Sequence, residues 1–221
     1  MSNNAPVAGP YADRSTNFLY QLLFCDDASL FNMPAGPSPQ APWQKILFDP
    51  QPDPDAIRGL AADAANESRV RVLAYNWLRQ HGHAVPKGEL LGAIIEIGLD
   101  RGLDVLAAYT DGRIRYLNQT GKPSIFEAAP PGVAKHATRA LAAAQIVIAQ
   151  IGPWDKPRLP HPPQGTIRMS FLVSDGLYFG QGPWPGMSRD PIAAPLIAEF
   201  GHLLKAVVDA AIGAGKPRPA L

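Results

Sequence analysis

Apolar residues recur along this chain at two periods, and each change of period marks a new element. In STNFLYQLLFCDDASLF, Phe18, Leu19, Leu22 and Leu23 fall at helical spacing behind a Ser15 or Thr16 cap, followed by a short apolar piece at Leu30 and Phe31. The pattern predicts an amphipathic N-terminal helix that either docks on the core or meets a partner. Asp53-Pro54 then reads as a cap with proline at the first helical position, ahead of the stripe Val70, Leu73, Ala74, Trp77, Leu78 and His81. One long helix over 55–81 follows, with Asn66–Ser68 as the place for a break or kink.

The period then falls to two. ELLGAIIEIGLDRGLDVLAAYTDGRIRYLNQ holds three apolar runs separated by Asp100-Arg101-Gly102 and by Asp111-Gly112, a pair that favours a tight type I′ hairpin. It predicts an antiparallel meander of three strands, near 90–98, 103–110 and 113–118. Val133, Ala137, Leu141, Ala144, Ile148 and Ile151 mark a second helix. In TIRMSFLVSDGLYFGQG, Ile167, Met169, Phe171 and Val173 alternate with Arg168, Ser170, Leu172 and Ser174 before Asp175-Gly176 reverses the chain into another hairpin. A last helix, capped by Asp190-Pro191, carries Leu196, Phe200, Leu203, Leu204, Val207 and Ala211 and stops at Gly213.

The expected architecture is therefore an α+β fold with a single antiparallel five-stranded sheet, in the order helix, three strands, helix, two strands, helix. A helical and proline-rich arm (1–54) precedes the main domain (55–213), and a tail (214–221) follows it. The chain's 24 prolines cluster at Pro34–Pro54, Pro153–Pro163 and Pro183–Pro195, where fixed φ and missing donors favour ordered connectors.

Composition narrows the function classes. Of 221 residues, 46% are apolar, enough for a sizeable core, and 20 Lys and Arg against 19 Asp and Glu leave a net charge of +1. No general field draws the chain to nucleic acid or to an anionic membrane. The start lacks a basic n-region and an apolar h-region, and no apolar run is long enough to span a bilayer, so the expected address is the cytoplasm. The single cysteine, Cys25, excludes an internal disulfide, and Asp26 and Asp27 beside it oppose thiolate formation. No cofactor is expected. His81-Gly82-His83 lacks the further ligands a metal needs.

The candidate binding residues are Arg113, Arg115, Tyr116, Asn118, Lys122, Arg168 and Trp184. Alternation places Arg113 and Arg115 on one face, so they either pair across strands with charges such as Glu96 and Asp104 or, with Lys122 and Arg168, form a surface for anions or acidic peptides. Gly121-Lys122 is no phosphate loop, since Pro123 stands where Ser or Thr is needed and Tyr116 where the first glycine is needed. Asn118-Gln119-Thr120 reads as a strand-end turn. Trp184, among glycines and prolines, either plugs the end of the sheet or forms an exposed contact.

The element order between Asp55 and Gly213 resembles that of the roadblock, longin and profilin-like domains and that of type III secretion chaperones, more closely the latter, since roadblock domains usually place two strands before the middle helix and three after it. That resemblance implies binding through dimerisation, scaffolding or cargo contact, not catalysis. The expected function is thus a non-enzymatic adaptor or chaperone-like protein that uses a sheet or helix face to hold a protein partner or a second copy of itself, as a homodimer. The alternative is a profilin-like module that binds a small molecule between the sheet and the proline-rich arm. An enzyme requires Glu96, Asp104, Arg113, Asn118 and Arg168 to converge across strands.

Overall fold

The computed structural model describes residues 9–32 and 40–214. The first part of the Pro34–Pro54 cluster, and the expected tail beyond Ala214, lie outside the described residues. The N-terminal helix α1 (Arg14–Leu22) is capped by Asp13, whose carboxylate accepts from the Thr16 amide at 2.7 Å, so the cap lies just ahead of the Ser15 or Thr16 expected from sequence. A 3-10 turn at Ala28–Phe31 and the short helix α2 (Pro42–Leu47) lead to α3 (Pro54–Ala62) and α4 (Ser68–Gln80).

The single helix expected over 55–81 is therefore two. Asp63 turns extended and accepts the Ala65 amide on its own side chain, while the Asn66 amide nitrogen donates to the Leu60 carbonyl at 3.1 Å. Side chains that bond so readily to their own backbone offer the chain an exit from the helix.

The sheet has six strands, not five: β1 (Leu90–Leu99), β2 (Gly102–Tyr109), β3 (Ile114–Leu117), β4 (Pro123–Phe126), β5 (Thr166–Val173) and β6 (Gly176–Pro183). They lie in the order β4-β3-β2-β1-β5-β6, every pair antiparallel. The additional strand is β4. It is short, begins at a proline and carries half-exposed side chains, a pattern that reads as loop, and it is tolerated because an edge strand can leave one row of groups unpaired.

The Asp111-Gly112 hairpin forms, but not as a type I′ turn. Only Gly112 has positive φ, 87°, and the Tyr109–Arg113 pair closes a three-residue loop in which Gly112 donates to the Tyr109 carbonyl at 3.0 Å. This is a tight turn with a glycine bulge. Asp111 keeps negative φ and gives its carboxylate to the Ser68 amide at 2.7 Å, tying the turn to the start of α4.

Helices cover both faces of the sheet. On the first face, α1 to α4 pack Tyr20, Phe24, Leu73 and Leu78 against Leu91, Ile94, Leu103 and Tyr109. On the second, α5 (Pro131–Ile148) and α7 (Ala193–Ala214) pack Ala140, Ala144, Leu196, Phe200 and Leu203 against Phe171, Ile114 and Met169. A four-residue helix, α6 (Trp184–Met187), follows β6. The N-terminal helix thus docks on its own domain, where burying a residue such as Phe24 contributes roughly 1.5–3 kcal/mol.

The α5–β5 connection, residues 149–165, carries the second proline cluster across the first face. There Trp154 donates its amide to the Leu177 carbonyl at 2.7 Å, and Gly165 donates to the Gly98 carbonyl at 2.9 Å. Gly98 is required at this crossing, because a Cβ there would lie 2.0 Å from the Pro163 carbonyl oxygen. The polar side of β5 is consequently not a free surface: Arg168 and Ser170 are 2% and 1% exposed.

Candidate functional site

The seven residues singled out in the sequence do not form one site. Arg113 and Arg115 do share a face, and both grip Glu127 just beyond β4, Arg113 Nε to Oε2 at 2.8 Å and Arg115 to Oε1 at 2.6 Å. Arg113 also pairs with Asp111 at 3.0 Å, and Arg115 donates to the Phe126 carbonyl at 2.9 Å. Burial opposes ionisation of Glu127, yet the Arg113 hydrogen bond and the Arg115 charge outweigh it and hold the carboxyl below its ordinary range. Asn118 closes the β3–β4 turn by accepting the Thr120 and Lys122 amides, each at 3.0 Å, and Lys122 is exposed on that turn.

Arg168 lies across β1 from these residues, in the first-face core. It is the register partner of Glu96, at 3.7 Å, and Tyr20 donates its hydroxyl to the other Glu96 oxygen at 2.6 Å. Arg168 spends its remaining donors on Gln181 at 2.7 Å and on the Leu159 and Pro160 carbonyls at 3.0 and 2.5 Å. Burial pushes the Glu96 carboxyl above its usual range, against the Tyr20 hydrogen bond and the Arg168 charge. This network fastens α1 and the proline-rich connection to the sheet. Of the five residues an enzyme would need to assemble, only Glu96 and Arg168 meet there; Arg113 and Asn118 lie at either end of β3, and Asp104 lines a groove on the second face.

Tyr116 and Trp184, in contrast, meet on the second face. The stripe Leu196, Phe200, Leu203 and Val207 of α7 faces the core, but Ile197, Gly201 and Leu204 form a parallel stripe that the sheet and α5 leave partly open. With Ile95, Ile97, Leu106 and Tyr116 this second stripe bounds a groove of about 100 Å³. A Cβ at Gly201 would meet nothing within 4 Å, and Trp184, at 40% exposed, forms a rim instead of a plug. Sequence reasoning found Trp184 and Tyr116 but missed this α7 stripe, whose legible signal was an apolar arc wider than one buried face needs.

One charge stands at the groove, Asp104. Its carboxylate accepts the Gln119 amide at 2.7 Å and has no cationic partner among the described residues. Burial and the Asp104 charge push the neighbouring Tyr116 hydroxyl above its ordinary range. No group of His, Cys, Asp and Glu among the described residues is placed to hold a metal, and no described helix is long and apolar enough to cross a membrane.

No protein-family model matches the chain, and no curated protein matches it.

Proposed function

We propose that the protein is a binding or adaptor module that docks a segment of a partner protein in the second-face groove. The carrying observation is the open stripe Ile197, Gly201 and Leu204 beside the exposed Trp184. Interfaces draw most of their energy from aromatic anchors seated beside such apolar pockets. The groove accommodates one large side chain, and the uncompensated Asp104 carboxylate at its edge favours a cationic neighbour. The expected ligand segment therefore carries a single large aliphatic or aromatic residue beside a lysine or arginine.

Selection from a displayed random-peptide library tests this. The wild type should enrich an apolar anchor flanked by a basic residue, Gly201→Glu should abolish enrichment by placing a charge in open groove space, and Asp104→Asn should lose only the basic preference. Peptides insensitive to Gly201→Glu would sink the reading. Sedimentation of both forms separates the remaining occupant: self-association abolished by Gly201→Glu would make the groove a dimer interface and overturn the partner assignment.

A further inference from the structure

A second cleft lies on the first face, between α4, the β5–β6 hairpin and the proline-rich connection, and it is independent of the groove. Its volume is about 180 Å³, somewhat above the roughly 150 Å³ of an engineered cavity that takes benzene. Leu172, Leu177 and Phe24 supply an apolar floor, and the Trp154 ring stands at its wall, braced edge-on against Phe179 with centroids 4.7 Å apart. Three cations line it, Arg79, Lys156 and Arg158, against one carboxylate, Asp26.

That carboxylate is spent on Arg158, at 2.6 Å, and the Arg158 guanidinium is also stacked 3.9 Å over Phe24. Arg79 has only neutral partners, the Asp175 carbonyl at 3.4 Å and the Asn76 side-chain oxygen, and its Nε is buried with no acceptor. Asp175, the acid whose charge acts on Arg79, gives its carboxylate to the Gly88 amide and the Tyr178 hydroxyl, both at 3.1 Å. Burial lowers the Arg79 pKa, with the Asp175 charge opposing. Lys156 sits 5.5 Å over the Trp154 ring and has no carboxylate partner among the described residues. In a chain of net charge +1, two cations that form no ion pair among the described residues, at one mixed apolar cleft, make a local anion site.

We propose that this cleft binds a small organic anion, with its carboxylate or phosphate head against Arg79 and Lys156 and a compact apolar body of about ring size against Trp154 and Leu177. The full chain titrated with benzoate, phenyl phosphate and inorganic phosphate, followed by amide NMR shifts, tests it. One of the two organic anions should shift amides near 76–80 and 154–158, and benzoate or phenyl phosphate as the tighter binder identifies the head group. Affinity should fall about tenfold or more in Arg79→Met and roughly threefold in Lys156→Glu, and should weaken with salt. Lys156 makes only a ring contact, so its variant keeps the test decisive if Arg79→Met fails to fold. Absence of shifts up to about 10 mM, affinity unchanged in Lys156→Glu, or inorganic phosphate binding as tightly as phenyl phosphate would overturn the assignment.

Discussion

The two faces of the sheet are buried by opposite means. The second face is closed mainly by apolar contact, with the alanines of α5 letting α7 approach and Phe171 and Leu203 filling the space between. The first face mixes its core with Glu96, Arg168, Tyr20 and Arg158, and these side chains pair with segments far away in sequence, Tyr20 and Arg168 with Glu96 and Arg158 with Asp26. Apolar packing is non-directional and leaves α7 free to expose a spare stripe, whereas hydrogen bonds specify which carbonyl lies over which strand. The first face therefore fixes the path of irregular chain, and the second leaves an adhesive surface.

Substitutions on either face should separate the two modes of burial. Phe171→Ala empties the second-face core at a residue with no exposure and should cost about 3–5 kcal/mol in urea unfolding, with loss of protection throughout the sheet. Arg168→Met should cost roughly 3 kcal/mol, because the Leu159 and Pro160 carbonyls and Gln181 lose their donor. Its hydrogen-exchange signature should instead be confined to 158–165 and α1. Equal exchange profiles for the two variants would erase the distinction between the faces.

Gly98→Ala, which sets a methyl against the Pro163 carbonyl, should cost about 1–3 kcal/mol and lift the same connection. Smaller still is the effect of Glu96→Gln, and it depends on pH. The folded protein holds this carboxyl above its unfolded value, so the associated stability is complete below about pH 4.3 and is lost as pH rises. The variant should match the wild type at low pH and gain on it toward neutrality in parallel denaturation series; a pH-independent difference would show that Glu96 remains charged. Smallest is Glu127→Ala, on an exposed carboxylate shared by two arginines, which should cost less than about 1 kcal/mol and fade at high salt.

Much of this fold was legible because its signals are local. The β1–β2 and β5–β6 hairpins, the α5 stripe and the α7 stripe follow from period and turn residues within one window. Strand alternation likewise placed Arg113 and Arg115 together, and cross-strand pairing of opposite charges was one of the readings open from sequence, although the two arginines pair with Glu127 and Asp111 and not with Glu96 or Asp104. Their partners were less accessible. Glu127 follows a strand that reads as loop, and the burial of Arg168 comes from Leu159 and Pro160, whose path across the sheet no local pattern encodes. The groove was hidden for the same reason, since Ile197 and Leu204 look like ordinary core residues until the width of the α5–α7 layer is known.

The sheet order carries one more consequence, for the sequence of events in folding. Strands β1 to β4 are joined by turns of a few residues and can zip up locally, as can β5 with β6. The ladder between β1 and β5 must instead wait for the whole of β2–β4, α5 and the proline-rich connection to come into place, and closure of such a loop carries an entropic cost before any contact rewards it. β1 lies at that junction and contributes Leu91 and Ile94 to one core and Ala93 and Ile95 to the other. One seam in mid-sheet thus couples two separately zippered halves into a single cooperative unit, and the folding rate of the protein should be set there, by the encounter of two preformed hairpin sheets along β1.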